Sequence, residues 1–181
     1  MVEKYKYPKI IEIKKFIDSR GYFSEIYCDK ILKQNGINEN FIQDNLSFSE
    51  KKGTLRGMHL QIKSKAQSKL LKVIKGKIFD VCVDLRIRSK TFGTYFNYTL
   101  SSNKNEFLYI PKGFARGFIT LENKTEVIYK VDNIYSPKFE RTLIWHDKEI
   151  NIKWPQIVKL LRISEKDKKG RKLEYFKKIK L

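Results

Sequence analysis

Short runs of apolar, β-branched residues separated by turn-forming residues dominate the chain. The clearest example is LLKVIKGKIFDVCVDLR at residues 70–86, where two apolar runs flank Lys-Gly-Lys at 75–77 and predict a β-hairpin. Apolar and polar residues alternate in its second run, so successive side chains point to opposite faces of a strand. One face carries Phe79, Val81, Val83 and Leu85, and the other carries Asp80, Cys82, Asp84 and Arg86.

The same pattern recurs along most of the chain at similar spacing. Further strands are predicted within residues 9–18, 93–102, 106–121 and 125–135. Arg20-Gly21 predicts a turn, and residues 24–36 predict a short helix that ends at Gly36. Many short strands with regular turn signals are typical of an all-β sandwich or barrel.

The sequence after Pro155 changes character, and residues 163–176 predict helix. A chain of 181 residues with 41% hydrophobic content has the size and composition of one ordinary domain with a core. We therefore expect residues 1–181 to form a single domain, with the segment 156–181 packed outside the barrel.

The formal net charge of +19 and a pI near 9.8 meet the electrostatic footprint of a nucleic-acid binder. The excess is mostly lysine and is scattered along the chain, which favours a solvated surface instead. We predict neither a nucleic-acid nor a membrane partner, although the positive charge would steer an anionic ligand toward the protein.

No segment approaches the roughly 20 apolar residues that span a membrane, and the first residues lack the apolar stretch of a secretory signal. A cytoplasmic location is the expectation. Cys28 and Cys82 form no CxxC pair, so we expect two free thiols, with Cys82 in a core strand.

The segment GTLRGMHLQ at residues 53–61 contains the candidate chemistry. His59 is a histidine, the residue type best suited to take a proton and return it near neutral pH. Arg56 is a permanent cation suited to phosphate. A base beside an anion site indicates chemistry on a phosphorylated substrate. Strict strand alternation puts the two side chains on opposite faces, unless Gly57 forms a bulge or Arg56 lies at the barrel mouth.

Eight blocks, in this order and at this spacing, resemble the dTDP-4-dehydrorhamnose 3,5-epimerase family over nearly the whole chain. The blocks are DSRGYFSE (18–25), FIQDNLSFS (41–49), GTLRGMHLQ (53–61), QSKLLKVIKGKIFDVCVDLR (67–86), YIPKGFARGF (109–118), EVIYKVDNIYSP (126–137), the IWHD-to-IKWP stretch (144–155) and ISEKD (163–167). The resemblance implies an all-β, cupin-type double-stranded β-helix jelly roll with short peripheral helices. It also implies a homodimer in which N-terminal strands cross to the partner.

The implied reaction inverts C3, C5 or both in a nucleotide-diphospho-4-keto-6-deoxy sugar, most simply one linked to dTDP. A 4-keto group acidifies the hydrogens on its two neighbouring carbons, so a base forms an enolate and an acid on the other face returns a proton. By resemblance, His59 is the base and Asp167 its carboxylate partner. Lys69 lies near the keto oxygen, and Tyr129 is the opposed acid.

Binding residues carry over in the same way. Arg20 and Glu25 match nucleotide-contacting positions, Gln43 and Asn45 supply amide groups, Arg56 suits the diphosphate, Tyr135 stacks on the base, and Glu140 and Lys166 contact the ligand. His146, where the family usually has asparagine, is interpreted as structural.

Arg116 is the main departure, because the family usually has histidine in this GFARGF block. An arginine there would hold the diphosphate more firmly, swing aside for a different sugar, or lower the His59 pKa by like-charge repulsion. A 3- or 5-mono-epimerase acting on another nucleotide-linked 4-keto sugar stays open.

A metal site is not expected, since two histidines nearly ninety residues apart lack HxH spacing. The reaction is redox-neutral and no GxGxxG follows a strand, so no cofactor is expected.

Two other functional classes are considered. One is a non-catalytic nucleotide-sugar-binding cupin, which would not need the base, lysine and tyrosine together. The other is a basic nucleic-acid-binding barrel.

Overall fold

The computed structural model describes residues 7–179, which form mainly β-strands with a few short helices. The strands are β1 (Lys9–Glu12), β2 (Phe16–Asp18), β3 (Gly21–Phe23), β4 (Gln43–Ser49), β5 (Leu55–Gln61), β6 (Lys69–Lys75), β7 (Lys77–Asp84), β8 (Tyr95–Ser101), β9 (Glu106–Ile110), β10 (Phe114–Thr120), β11 (Thr125–Val131) and β12 (Glu140–Thr142). The α-helices are α1 (Asp29–Gln34), α2 (Glu165–Lys168) and α3 (Leu173–Lys177).

Two five-stranded sheets make up the barrel. The first sheet has the order β1-β9-β6-β11-β4, and the second has the order β12-β5-β10-β7-β8. Neighbouring strands are antiparallel, and β2 and β3 form a separate two-stranded hairpin. The predicted all-β class is therefore confirmed.

The predicted hairpin at residues 70–86 is wrong. Both strands exist, but β6 lies in the first sheet and β7 in the second, so Gly76 (φ +80°) connects two sheets rather than two neighbours. A glycine between two apolar runs is typical of a hairpin, yet it does not determine which strand lies alongside. Both faces of β7 are buried, which is the environment of a central strand between β8 and β10.

Three apolar clusters explain why so many strand residues are apolar on both faces. The space between the sheets is filled by inward side chains of both, including Leu71, Cys82 and Phe118. The outer face of the second sheet packs against the C-terminal segment through Phe176, and the outer face of the first sheet packs against α1 through Leu32. Each sheet therefore contacts an apolar cluster on both of its faces.

The ends of the chain differ from the simple pattern. The predicted strand 9–18 divides into β1 and β2, whereas α1 and the left-handed Gly36 (φ +68°) confirm the helix within 24–36. The predicted helix at 163–176 is two short helices, α2 and α3, since Gly170 and its neighbours separate them. A Cβ at Gly170 would lie 2.7 Å from the backbone nitrogen of Ile144, so the chain passes too close to continue a helix.

A single domain over residues 1–181 stays a prediction, because residues 1–6 and 180–181 lie outside the described part. Both cysteines are free, and Cys82 is fully buried in β7 as expected. Within residues 7–179, no helix has the length and apolar character needed to cross a membrane.

Candidate functional site

A cavity of about 600 Å³ lies between the two sheets. Its volume is within the range of small-molecule sites. Nine of the predicted site residues line it: Arg56, His59, Lys69, Arg116, Tyr129, Tyr135, Glu140, Lys166 and Asp167. Exposed Tyr135 and Lys166 mark its outer end, and nearly buried Arg116 marks its inner end.

A bulge in β5 places Arg56 and His59 in the same cavity. His59 pairs with Arg116 and Arg56 pairs with Phe118, so three residue steps on β5 match two on β10. A Cβ on Gly57 (φ +124°) would lie 2.6 Å from the Cα of Gly117, so only glycine fits this crossing. The bulge that the alternation argument required is present.

His59 and Asp167 form a direct pair. Ser164 caps α2 by accepting a hydrogen bond from the Asp167 backbone N–H at 3.1 Å, which fixes the aspartate at the start of the helix. His59 Nε2 lies 2.7 Å from Asp167 Oδ1, and the Gly57 N–H donates to Oδ2 at 3.0 Å.

The Asp167 carboxyl is held in its ionised form. Burial alone would raise its pKa, but the hydrogen bonds from His59 and the Gly57 N–H outweigh burial and lower the pKa below its ordinary value. A carboxylate only accepts hydrogen bonds, so Nε2 of His59 carries the hydrogen and Nδ1 is left as the basic nitrogen.

Tyr129 and Lys69 come from the opposite wall. Tyr129 lies on β11 and Lys69 begins β6, both in the first sheet, whereas His59 lies in the second. Among residues 7–179, neither the Tyr129 hydroxyl nor the Lys69 ammonium has a hydrogen-bond partner. Burial first, and then the nearby Arg116 charge, lower the pKa of Lys69 to about 8.

The Arg116 side chain lies at the inner end of the cavity, apart from Tyr135 and Lys166 at the outer end. Its Nε and Nη2 donate to Asp80 Oδ2 at 2.8 and 2.5 Å, and the side chains of both residues are nearly or fully buried. The guanidinium is therefore fixed at the inner end of the cavity by a carboxylate from β7.

The outer end of the cavity holds a cluster of polar side chains from Tyr135, Glu140 and Lys166. The Tyr135 hydroxyl donates to Glu140 at 2.9 Å, and Lys166 forms an ion pair with the same carboxylate oxygen. Burial and the Glu140 hydrogen bond raise the pKa of Tyr135. Arg56 is oriented by hydrogen bonds to Ser49 Oγ at 3.1 Å and to the Phe48 carbonyl at 2.7 Å.

Four predicted residues lie outside this cavity. Gln43 and Asn45 hydrogen-bond to each other at 2.8 Å and line a smaller adjoining pocket, which shares Tyr129 and Tyr135 with the cavity. Arg20 lies in the β2–β3 turn, with an 89% exposed side chain paired to Asp18. Glu25 lies beside α1, on the outer side of the first sheet. His146 is exposed and does not line the cavity.

Comparison with known proteins decides the family. A family model described as dTDP-4-dehydrorhamnose 3,5-epimerase matches residues 5–175. The Shigella flexneri dTDP-4-dehydrorhamnose 3,5-epimerase is 44% identical over 171 residues, which are 92% of this chain and 93% of its own. The chain belongs to the dTDP-4-dehydrorhamnose 3,5-epimerase family.

Two solved structures extend the likeness to the fold. The dTDP-4-dehydrorhamnose 3,5-epimerase of Bacillus anthracis, with TDP and PPi bound, has a TM-score of 0.87 and 41% identity over 95% of this chain and 97% of its own. The Legionella pneumophila enzyme in complex with dTDP-4-keto-L-rhamnose has a TM-score of 0.85 and 38% identity over 92% of this chain and 88% of its own. The cupin-type jelly roll is confirmed, and the chain is an isomerase of the carbohydrate epimerase class.

Sequence reasoning missed several groups of this epimerase cavity. Ser47 lines the wall with a buried hydroxyl that has no hydrogen-bond partner in the described chain. Gln61 accepts from the Ser136 N–H at 2.5 Å and so ties β5 to the segment that carries Tyr135. Asp80 holds Arg116, and its signal in the sequence was a charge between apolar residues of a predicted strand.

No group of three or more His, Cys, Asp and Glu side chains within residues 7–179 is arranged to hold a metal ion. Among residues 7–179, three ion pairs involve residues that line the cavity: His59–Asp167, Lys166–Glu140 and Arg116–Asp80.

Lys69→Met is expected to raise the free energy of unfolding at pH 7 by about 1–2 kcal/mol, because it removes a partly desolvated charge that has no hydrogen-bond partner among residues 7–179. The pKa of Lys69 falls from 10.5 to about 8 on folding, so the penalty is complete below pH 8 and fades as the pH rises toward 10.5. Urea unfolding at pH 7 and pH 10 measures this. Lys75→Met, at the exposed end of the same strand, is the control and should show no such pH dependence. Equal or lower stability of Lys69→Met at pH 7 would contradict the burial argument.

Proposed function

We propose that this chain epimerises a dTDP-linked 4-keto-6-deoxy sugar at C3, C5 or both. Inversion at both carbons converts dTDP-4-dehydro-6-deoxyglucose to dTDP-4-dehydrorhamnose. The observation that carries the proposal is the pair of opposed walls around one cavity of about 600 Å³. An imidazole on one sheet is paired with a carboxylate from α2, and a phenol lies on the other sheet. The solved relatives bind TDP or a dTDP-linked 4-keto sugar, which supports this substrate class.

The first step removes a proton from the substrate. His59 Nδ1 takes the hydrogen from C3 or C5, and the electrons of that C–H bond form the enolate, whose charge rests on the 4-oxygen. The Lys69 ammonium stabilises this oxyanion, and Asp167 stabilises the imidazolium.

The second step returns a proton from the other face. The Tyr129 hydroxyl protonates the same carbon, which inverts its configuration and restores the ketone. The phenolate and the imidazolium then exchange protons with solvent, so the enzyme returns to its starting state without any redox change. The same acid and base serve either carbon.

The outer end suits the nucleotide. Tyr135 offers a partly exposed ring for stacking on the base, and Arg56 and Lys166 offer positive charge to the diphosphate. Glu140 positions Tyr135 and Lys166 through the contacts described above. The net charge of +19 favours encounter with this dianionic group.

The active form is proposed to be a cytoplasmic homodimer. The β2–β3 hairpin exposes Ile17 (79%), Tyr22 (63%) and Phe23 (66%), a larger apolar surface than a hairpin in water supports alone. Edge strand β4 exposes Leu46 (64%) and Phe48 (47%) beside the smaller pocket of Gln43 and Asn45. Docking the hairpin of one protomer on the β4 region of its partner covers both surfaces and brings Arg20 and Glu25 to the partner's nucleotide end.

Solvent hydrogen exchange tests the reaction. Incubated in heavy water with dTDP-4-dehydro-6-deoxyglucose, the wild-type protein should incorporate deuterium at C3, C5 or both, as followed by proton NMR. His59→Ala should slow this exchange by roughly 10³-fold, since a positioned base contributes about 10²–10⁴, while dTDP affinity stays within a few-fold. His146→Ala, which removes the other histidine outside the cavity, is the control. Absence of exchange in the wild type would favour the non-catalytic binder, and exchange at one position alone would favour a mono-epimerase.

Tyr129→Phe is expected to separate proton removal from inversion. The base still forms the enolate, so deuterium enters the substrate carbon from the His59 side, but inverted product should fall by about 10²-fold or more. NMR integration of exchanged substrate against epimerised product measures the two together. Tyr27→Phe is the surface control. Full yield of epimer from Tyr129→Phe would remove this phenol from its role.

If the protein is a homodimer, light scattering should give a mass of twice that of the 21.6 kDa chain. Ile17→Lys combined with Phe23→Lys should shift the protein to monomer and weaken dTDP binding at least tenfold, because Arg20 of the partner is then lost. Ile87→Lys, at a 50% exposed apolar position after β7, is the control. A wild-type monomer with full dTDP affinity would exclude a partner-supplied nucleotide contact.

A further inference from the structure

Arg116 is held rigidly at the inner end of the cavity. Two of its nitrogens donate to one oxygen of Asp80, which is fully buried, and the other oxygen of that carboxylate accepts from the Cys82 thiol at 3.7 Å. The ring of Phe118 lies 4.5 Å from the guanidinium carbon. Carboxylate and ring together leave the guanidinium one orientation.

One edge of this guanidinium stays open to a ligand. Within residues 7–179, Nη1 of Arg116 has no hydrogen-bond partner, and it is not among the fully buried unpartnered atoms, which are Ser47 Oγ and Glu106 Oε1. The same holds for Nζ of Lys69. Both residues line the cavity. Within residues 7–179, Nη1 of Arg116 and Nζ of Lys69 are therefore two solvent-accessible cationic donors without a protein acceptor.

A purely structural ion pair does not explain this arrangement. Burying an arginine with an aspartate is expensive, and such a pair gains most when every donor is satisfied by the protein. Here Asp80 neutralises one of the two cations, so Lys69, Arg116 and Asp80 together carry one net positive charge. That charge matches a single oxyanion formed in the cavity.

We propose that Arg116 acts with Lys69 as a two-cation site for the 4-oxygen of the sugar, with Asp80 as the positioning residue that aims the guanidinium. This inference rests on the proposed function and adds to it a second catalytic contact. When the C–H bond breaks, negative charge develops on the 4-oxygen, and the Nη1 donor stabilises it alongside the ammonium. No proton leaves Arg116, because an arginine stays protonated in proteins.

The two cations influence each other electrostatically, as expected of groups that face one atom. The Arg116 charge is the second cause, after burial, of the lowered pKa of Lys69. The guanidinium keeps its charge where the ammonium begins to lose it, so the site as a whole does not depend on a single titrating group.

The double variant Arg116→Gln with Asp80→Asn tests the inference, because it replaces the ion pair by a neutral hydrogen-bonded pair and leaves no buried charge. Deuterium exchange into dTDP-4-dehydro-6-deoxyglucose should fall about 10²-fold in kcat, the usual loss for one oxyanion donor. Affinity for dTDP, which lacks the sugar, should stay within threefold of wild type. Arg56→Gln provides the contrast, since it should weaken dTDP binding more than it lowers kcat.

A matched control comes from another arginine–aspartate ion pair with a fully buried carboxylate. Asp84 is fully buried and paired with Arg86 at 2.7 Å, outside the cavity. Arg86→Gln with Asp84→Asn should leave kcat for exchange within threefold, even where stability falls. A comparable loss in this control would show that disrupting any such pair slows the enzyme, and would overturn the inference.

Chemical rescue adds a readout that a structural role would not produce. Millimolar guanidinium chloride should restore exchange at least tenfold in Arg116→Ala, where Asp80 still anchors the ion, but not in Arg116→Ala with Asp80→Asn. The inference fails if the neutral double variant exchanges within threefold of wild type or if its loss lies in KM alone. A wild type that exchanges no deuterium would instead end the proposed function, and this inference with it.

Discussion

The close crossing of two backbones at Gly57 and Gly117 is the constraint on which the site depends. With no Cβ on either strand, β5 takes up one extra residue against β10, and Arg56 and His59 reach the same cavity. The bulge also turns the Gly57 N–H toward Asp167. One local departure from regular pairing thus orients the imidazole, its carboxylate and the arginine together.

The scaffold supports this geometry because both sheets are packed on both faces. The inner faces share a core, and helices and loops cover much of the outer faces, although β4 keeps Leu46 and Phe48 exposed. The C-terminal segment covers the second sheet through Phe176 and also supplies Asp167. Packing and chemistry are therefore coupled: a change that loosens this segment moves the carboxylate as well as exposing the core.

Much of this could be predicted from the sequence, and the failures have a common cause. Alternation located most strands, and the family blocks located the residues that line the cavity. Local pattern did not show that β6 and β7 belong to different sheets, because lateral neighbours are set by contacts distant in sequence. For the same reason the alternation exposed Asp80 as a charge on a buried strand but not its partner Arg116, which lies 36 residues away. In the proposed dimer, Arg20 and Glu25 would act at the partner's nucleotide end, and the pattern of a single chain does not contain the partner's position.

The pairing of His59 with Asp167 joins positions 108 residues apart. During synthesis, the imidazole leaves the ribosome long before its carboxylate exists. A nascent chain that stops anywhere between these positions carries the histidine without the group that fixes its tautomer. On the proposed mechanism, catalytic competence is therefore acquired late in translation, so appearance of activity in a coupled synthesis reaction would report synthesis of the segment that carries Asp167 rather than closure of the barrel.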